Sequence, residues 1–352
     1  MIIVYAIIRC RKICGWTLCQ YGADRCVFMG ENVMAMPLVS VYCMTYNHEK
    51  TIAQTIESIV QQKTDFAFEL IVHDDASTDN TAAIVCEYAQ KYPDIVRPIF
   101  QTVNQFRNCN LIRAFMHPVS QGKYIAICEG DDYWTDPEKL QKQVAYMQED
   151  ETCTMCFHAV QQLSSDGTFI NYRPLKETGV VDTDTIIKRG GMFCPSVSLM
   201  LRRDVMDVWP RFREVADVYD YPTQLLAATM GTVRYMDSMM GVYRFASEGS
   251  WTQAHADTVN YAHVENEETW LQLFDEYTQG KHTAAITYHM AHMWLTEYRK
   301  CFDKTVRKTA KQYIRRLAWR DKCVFGVLLC MFAVLGRRGN VLFEALKKRI
   351  LK

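Results

Sequence analysis

The chain has 352 residues and lacks an apolar run long enough to cross a bilayer as a helix. Its C-terminal uncharged stretch, Cys323 to Leu335, is 13 residues long, against the ~20 that a span requires. The apolar residues Met1 to Ile8 are followed by Arg9, Arg11 and Lys12, the wrong order for a secretion signal. No internal repeat or low-complexity segment is present. The 14 cysteines include one C-x-x-C pair, Cys153 and Cys156, with no second pair to complete a zinc site. Their scatter is that of reduced, buried thiols in a cytosolic protein. Of 9 histidines only His289 and His292 are close together, on one helical segment and with no acid beside them. They read as structural. Net charge is also absent, 40 Lys and Arg balancing 40 Asp and Glu, and no aromatic-basic platform or known nucleic-acid motif occurs.

That balance conceals an uneven distribution. From Arg299 to Lys352 there are 16 Lys and Arg against 3 acids, a tail of +13 that leaves −13 for the rest. Within the tail Val306, Ala310, Tyr313, Ile314 and Leu317 recur on one helical face among the bases. A basic amphipathic helix beside a short apolar one suits a peripheral anchor on an anionic membrane surface. A buried helix with a solvated basic neighbour is the competing reading. At 49% hydrophobic residues, the chain can bury a large core with a smaller appendage.

From Pro37 onward strand and helix signals alternate. Leu38 to Met44 is an apolar β-rich run ending in Thr45, Tyr46 and Asn47, followed by Ile52, Ile56, Ile59 and Val60 at helical spacing. Phe68 to His73 predicts a second strand that runs into Asp74 and Asp75, then a helix over 81–92 that Ser77 or Thr78 would cap. Strands follow at 96–100, 124–128 and 154–160, with a short helix over 110–116. Cys194 to Met200 reads as a loop entering a strand, and 233–237 and 240–244 as a strand and its hairpin partner. Such alternation predicts an α/β fold with a mostly parallel sheet, whose ligands bind beyond the carboxyl ends of the strands. Three polar clusters fall at those ends: Thr45 to Asn47, Asp74 with Asp75, and Glu129, Asp131 and Asp132.

The third cluster is the most informative. In Lys123 to Asp136 an apolar run breaks into Glu129-Gly130-Asp131-Asp132. Oxygen-rich sets of this kind suit hard divalent ions, Mg2+ or Mn2+, which bridge carboxylates to substrate phosphates. A solvated acidic turn is the alternative.

Val39-Ser-Val with Thr45-Tyr46-Asn47, Ile71-Val-His-Asp74-Asp75-Ala-Ser77-Thr78-Asp79, and Glu129-Gly130-Asp131-Asp132-Tyr133-Trp134 with Pro137-Glu-Lys-Leu140 resemble, in order and spacing, the family 2 glycosyltransferases of the GT-A fold. The resemblance covers about residues 37 to 251. It implies that Thr45, Tyr46, Asn47, Asp74 and Asp75 hold the base and ribose of a nucleotide-sugar donor. It matches the family's D-x-D to Glu129-Gly130-Asp131, with Asp132 beside it. Glu129 departs from the Asp of many members, so Asp131 is the first choice as direct metal ligand and Glu129 the second. Inverting members supply a general base from a later helix, which points to Asp220, with Asp217 as runner-up; capping of that helix is the plainer role for Asp220. Arg244 is a candidate for the diphosphate, and Trp134, Ser196 and Trp251 for the acceptor sugar.

The expectation is therefore a metal-dependent inverting transferase that moves a sugar, from UDP by preference, to a glycan or lipid-linked acceptor of a bacterial surface polysaccharide. The expected organisation is an extension over 1–35, possessing no evident order, a catalytic domain over 36–251 with its nucleotide-sugar half at 36–150 and acceptor half at 151–251, and a helical basic region over 252–352. The location would be cytoplasmic, peripheral to the inner face of the plasma membrane. Nucleic acid is not an expected partner. A sugar-nucleotide pyrophosphorylase would need a glycine-rich basic loop after the first strand, and Thr45-Tyr46-Asn47-His48 is unlike it. A non-catalytic glycan- or nucleotide-binding protein would tolerate loss of the acids.

Overall fold

The computed structural model describes residues 17–20, 26–29, 36–106, 110–245, 260–336, 338–339 and 343. It divides into two units: Met1–Asp182 with Met192–Trp209 and Leu226–Ser247, and Thr183–Gly191 with Pro210–Leu225 and Glu248–Lys352. The second unit thus also takes residues from within 36–251.

The strands are β1 Thr17–Gln20, β2 Cys26–Met29, β3 Val39–Thr45, β4 Phe68–Asp74, β5 Val96–Phe100, β6 Tyr124–Ile127, β7 Tyr133–Trp134, β8 Cys153–Ser164, β9 Phe169–Tyr172, β10 Gly179–Val181, β11 Met200–Arg202 and β12 Thr232–Phe245. The helices are α1 Ile52–Val60, α2 Thr81–Lys91, α3 Lys139–Gln148, α4 Thr183–Arg189, α5 Arg203–Asp207, α6 Arg211–Val215, α7 Asp220–Met230, α8 Tyr261–Tyr277, α9 Thr283–Cys301, α10 Lys304–Arg316 and α11 Trp319–Leu335.

Among the described residues all 12 strands join one sheet in the order β1-β2-β5-β4-β3-β6-β11-β8-β12-β10, with β7 on β12 and β9 on β8. Strands β5, β4, β3 and β6 are mutually parallel. Being covered on both faces, they read as continuous apolar runs rather than alternating ones. The pleat still sorts their side chains. Val39, Val41 and Cys43 join Ile52, Ile56 and Ile59 of α1 in one core layer, while Tyr42, Ile71 and Ile125 pack with Leu111, Ile112 and Phe115 in the other.

Four expectations change. Residues 233–244 form no hairpin: β12 is one strand parallel to β8, and the irregularity between Met236 and Gly241 is a set of register shifts. A bulge bends a strand without reversing it. The segment before β6 is a π-type turn, Ile112–Met116, continuing into a 3-10 turn, His117–Val119. The 1–35 extension contributes β1 and β2, with β2 pairing antiparallel to β5. Burial of the thiols holds for Cys43, Cys128, Cys153, Cys156 and Cys194, whereas Cys301, Cys323 and Cys330 are exposed.

In the second unit α8 and α9 bury Trp270, Leu271, Phe274, Met290 and Trp294. Val306, Ala310, Tyr313 and Ile314 form the buried face of α10, as their spacing predicts. The α10 N-terminus is capped by Asp303, which accepts from the N–H groups of Thr305 and Val306. No described helix is long and apolar enough to cross a membrane.

A buried polar link ties the parallel strands together. Ser40 Oγ donates to Glu69 Oε1 at 2.6 Å, the N–H of Gln121 donates to the same oxygen at 2.7 Å, and the N–H of Gly122 donates to Ser40 Oγ at 2.8 Å. Arg97 Nη1 stands 2.8 Å from Glu69 Oε2. Removing the cation leaves a buried carboxylate without its charge partner. Urea unfolding is therefore expected to show Arg97→Ala less stable by about 1–3 kcal/mol, with Glu69→Gln restoring part of the loss in that background.

Candidate functional site

The site is built where β3, β4 and β6 end. After β3 the chain turns at Asn47, whose φ of 55° lies in the left-handed region that Asn tolerates better than most side chains. The turn is pinned to the loop after β4. The N–H groups of Asn47 and His48 donate to Ser77 Oγ and Thr81 Oγ1, both at 2.8 Å, and the N–H of Thr78 donates to Asn47 Oδ1 at 2.8 Å. Neither Ser77 nor Thr78 caps α2: its N-cap is Asn80, whose side chain makes no capping bond, and Asp79 Oδ1 accepts from the N–H of Thr81 at 2.9 Å. Ser77 is engaged instead by Asp74, donating to Oδ1 at 2.5 Å. Asp75 accepts from the N–H groups of Gln105 and Phe106 at 2.8 and 3.0 Å. Both carboxylates are buried. Burial pushes their pKa values up, against the hydrogen bonds that pull them down. Tyr46 differs, with 44% of its surface exposed.

The acid loop is clamped by backbone contacts. The N–H of Gly130 donates to Met44 O at 2.9 Å, and its carbonyl accepts from Thr51 Oγ1 and Thr55 Oγ1 at 2.8 and 3.0 Å. Thr55 Oγ1 also donates to Asp132 O at 2.6 Å. This geometry brings carboxylate oxygens of Glu129, Asp131 and Asp132 within 4.8 Å of one another. Glu129 Oε2 accepts from Ser196 Oγ at 3.2 Å, which attaches the predicted acceptor residue Ser196 to the acid cluster. Asp132 is fully buried: Oδ1 accepts from the N–H of Arg244 at 2.7 Å and Oδ2 has no hydrogen-bond partner. Burial, then the charges of Asp131 and Glu129, push its pKa well up. Arg244 donates to the carbonyl of Asp131 and to Gln54 Oε1, and its guanidinium lies 4.9 Å from the centre of the Tyr133 ring.

Three crowded carboxylates and an unsatisfied buried oxygen fit a hard divalent cation held by oxygen ligands. Residue type and spacing indicated the cluster; the bonds of Thr51 and Thr55 to its loop, and of Ser196 to Glu129, required the fold.

Trp134 corrects a sequence expectation. It is 4% exposed, its Nε1 donates to Val197 O at 3.1 Å, and the Lys139 ammonium lies 4.0 Å from its ring centre. Its indole is used inside the core and presents no face to an acceptor. Trp251 lies outside the described residues.

In the second unit Asp220 opens α7. Burial pushes its carboxyl up, the N–H of Tyr221 pulls it down, and Glu267 pushes it up again. Asp217 Oδ2 bonds His263 Nδ1 at 2.7 Å. Glu267 Oε2 lies 3.6 Å from His263 Nε2, and its Oε1 bonds His289 Nε2 at 2.8 Å. His289 therefore has an acid partner after all, supplied by α8 and so invisible in its local sequence.

Residues 40–209 match the family described as Glycosyl transferase family 2. An uncharacterized protein of Mycobacterium tuberculosis is 34% identical over 223 residues, 62% of this chain and 62% of the relative. The chain thus spans less than two thirds of that relative's length. EpsE of Bacillus subtilis, a glycosyltransferase by its name, is 31% identical over 199 residues, 51% of this chain and 67% of EpsE. The structure of S. aureus TarS residues 1–349 in complex with UDP-GlcNAc superposes with a TM-score of 0.62 at 16% identity, covering 86% of this chain and 88% of that one. The architecture is the GT-A fold. By its match to the family and to EpsE, the chain belongs to glycosyl transferase family 2.

Burial alone would lower the pKa of His263, but the bond and charge of Asp217, with Glu267, raise it overall above 6.5. A raised histidine pKa adds stability that is fully present below the unfolded value and is lost as pH rises through the folded one. Denaturant unfolding should therefore show Asp217→Asn destabilising the chain in mildly acidic buffer, with the difference shrinking in alkaline buffer.

Proposed function

We propose that the chain is an inverting glycosyltransferase carrying a hexosyl or N-acetylhexosaminyl group from a UDP-sugar to a hydroxyl of a glycan or lipid-linked acceptor. The product would be a bacterial surface polysaccharide, assembled at the cytoplasmic side of the membrane. The observation that carries the reading is the acid cluster of Glu129, Asp131 and Asp132 at the end of β6, beside the β3 and β4 loops. The UDP-GlcNAc named with TarS supports a uridine donor.

In this reading Tyr46 offers its exposed ring to the base, and Thr45, Asn47, Asp74 and Asp75 shape the base and ribose pocket. Asp74 and Asp75 do so through the loops they hold, since both carboxylates are already bonded internally. Glu129, Asp131 and Asp132 would hold Mg2+ or Mn2+, with Asp131 as the first ligand. Bound there, the cation supplies Lewis acidity that neutralises the charge developing on the leaving diphosphate. Arg244, which reaches the Asp131 carbonyl from β12, adds a positive charge beside that loop. Ser196 and Trp251 belong to the acceptor side.

The acceptor oxygen attacks the anomeric carbon as the bond from that carbon to the diphosphate breaks. One displacement inverts the centre. The acceptor proton passes to the Asp220 carboxylate, whose raised pKa makes it a better base near neutral pH.

Calorimetry is expected to show UDP binding that needs Mn2+ and weakens at least tenfold with chelator or in Asp131→Ala. Metal-independent binding, or none, would contradict the reading. In a turnover assay Asp220→Asn should keep UDP affinity while losing about 10²–10⁴ in rate.

A further inference from the structure

Helix α11 is apolar around nearly its whole circumference, yet only one side is covered. Phe325, Leu329 and Phe332 are buried. Phe325 meets Tyr288 edge-on at 5.1 Å, and Phe332 lies 5.1 Å from the guanidinium of Arg299, so this side packs on α9. Trp319, Cys323, Val327, Cys330 and Val334 recur at intervals of four and three residues and are all exposed. Trp319 is 77% exposed, Val327 68% and Val334 82%. Val324 and Leu335 extend the same side. A bare apolar stripe along a full helix is a docking surface rather than a scatter of single residues.

Charge identifies what covers it. From Lys304 to Arg320 there are 7 basic residues and no acid. Lys304, Arg307, Lys308, Lys311, Arg315 and Arg316 are exposed on α10, the helix directly preceding α11. A second copy docking through the same surface would bring two such clusters together, an unfavourable pairing. An anionic lipid surface accepts both features: bases at the headgroups, valines and a tryptophan at the acyl boundary. The 17 residues of α11 extend about 25 Å, short of a bilayer core of about 30 Å, and one side is already committed to α9.

We propose that α10 and the outer side of α11 form a peripheral membrane-docking surface, with α11 lying in the plane of an anionic bilayer. The inference stands apart from the reading of the acid cluster, because it uses none of its residues.

Flotation of the full chain with vesicles tests it. Binding is expected to phosphatidylcholine vesicles containing phosphatidylglycerol, to be at least tenfold weaker without the anionic lipid, and to fall as salt rises. Each basic side chain near such a surface strengthens binding about fivefold. Val327→Glu with Val334→Glu should abolish flotation, and Lys308→Glu with Lys311→Glu should reduce it more than tenfold. Both pairs of positions are exposed, so unchanged circular dichroism and unchanged UDP affinity in the same samples separate a lost surface from a lost fold or donor site. Equal binding to neutral vesicles overturns the proposal, as does no binding to either kind. A dimer by light scattering that dissociates on Val327→Glu with Val334→Glu also overturns it, assigning the stripe to a second copy.

Discussion

Where the chain leaves β6, the backbone of Gly130 lies so close to the β3 loop that a β-carbon would stand 2.6 Å from Thr45 Oγ1 and 2.7 Å from His48 Nδ1. Any side chain would push the two loops apart. With only hydrogen at that position, the hydroxyls of Thr51 and Thr55 reach the Gly130 carbonyl, and the carboxylates before and after it converge. The β3 loop is also bonded to Ser77 of the β4 loop and to Thr81 at the start of α2. The close approach of the Gly130 backbone to the Thr45 and His48 side chains, with the bonds to Ser77 and Thr81, thus joins the ends of three parallel strands, where an α/β sheet binds its ligands.

The cluster is electrostatically costly, and its surroundings show how the cost is offset. Asp132 is buried beside two other acids and receives one backbone N–H, while the guanidinium of Arg244 lies against the neighbouring carbonyl. Crowded carboxylates of this kind repel until a cation neutralises them. Lys139 is buried with its ammonium over Trp134 and bonded to Gln143 Oε1 at 2.6 Å. Burial pushes its pKa down to about 7. Trp134 is therefore a core residue bonded to Val197 and covered by Lys139, which explains a tryptophan next to the acids without a sugar to stack on.

Local patterns made the parallel sheet legible. The runs at 39–45, 68–74 and 124–127 are short, β-rich and followed by helical spacing, and they form β3, β4 and β6. The acid cluster was equally visible, since its members are adjacent in sequence. What escaped depends on distant partners. The bulges in β12 mimic a turn because a register shift and a hairpin both interrupt alternation. Trp134 looks like a sugar platform until Val197 and Lys139 are placed on it, and Glu267 reaches His289 across 22 positions. In the tail, spacing marked the buried side of α10, but only the packing of α11 on α9 reveals which side of the apolar helix is left bare.

If Glu129, Asp131 and Asp132 hold the cation that receives a nucleotide diphosphate, the ion and the diphosphate must meet at these carboxylates. Anomalous diffraction from crystals grown with Mn2+ and UDP tests it directly. One strong manganese peak is expected within coordinating distance of Asp131 and of the UDP phosphates; diphosphate bound away from these carboxylates, or manganese ligated elsewhere, would rule this site out.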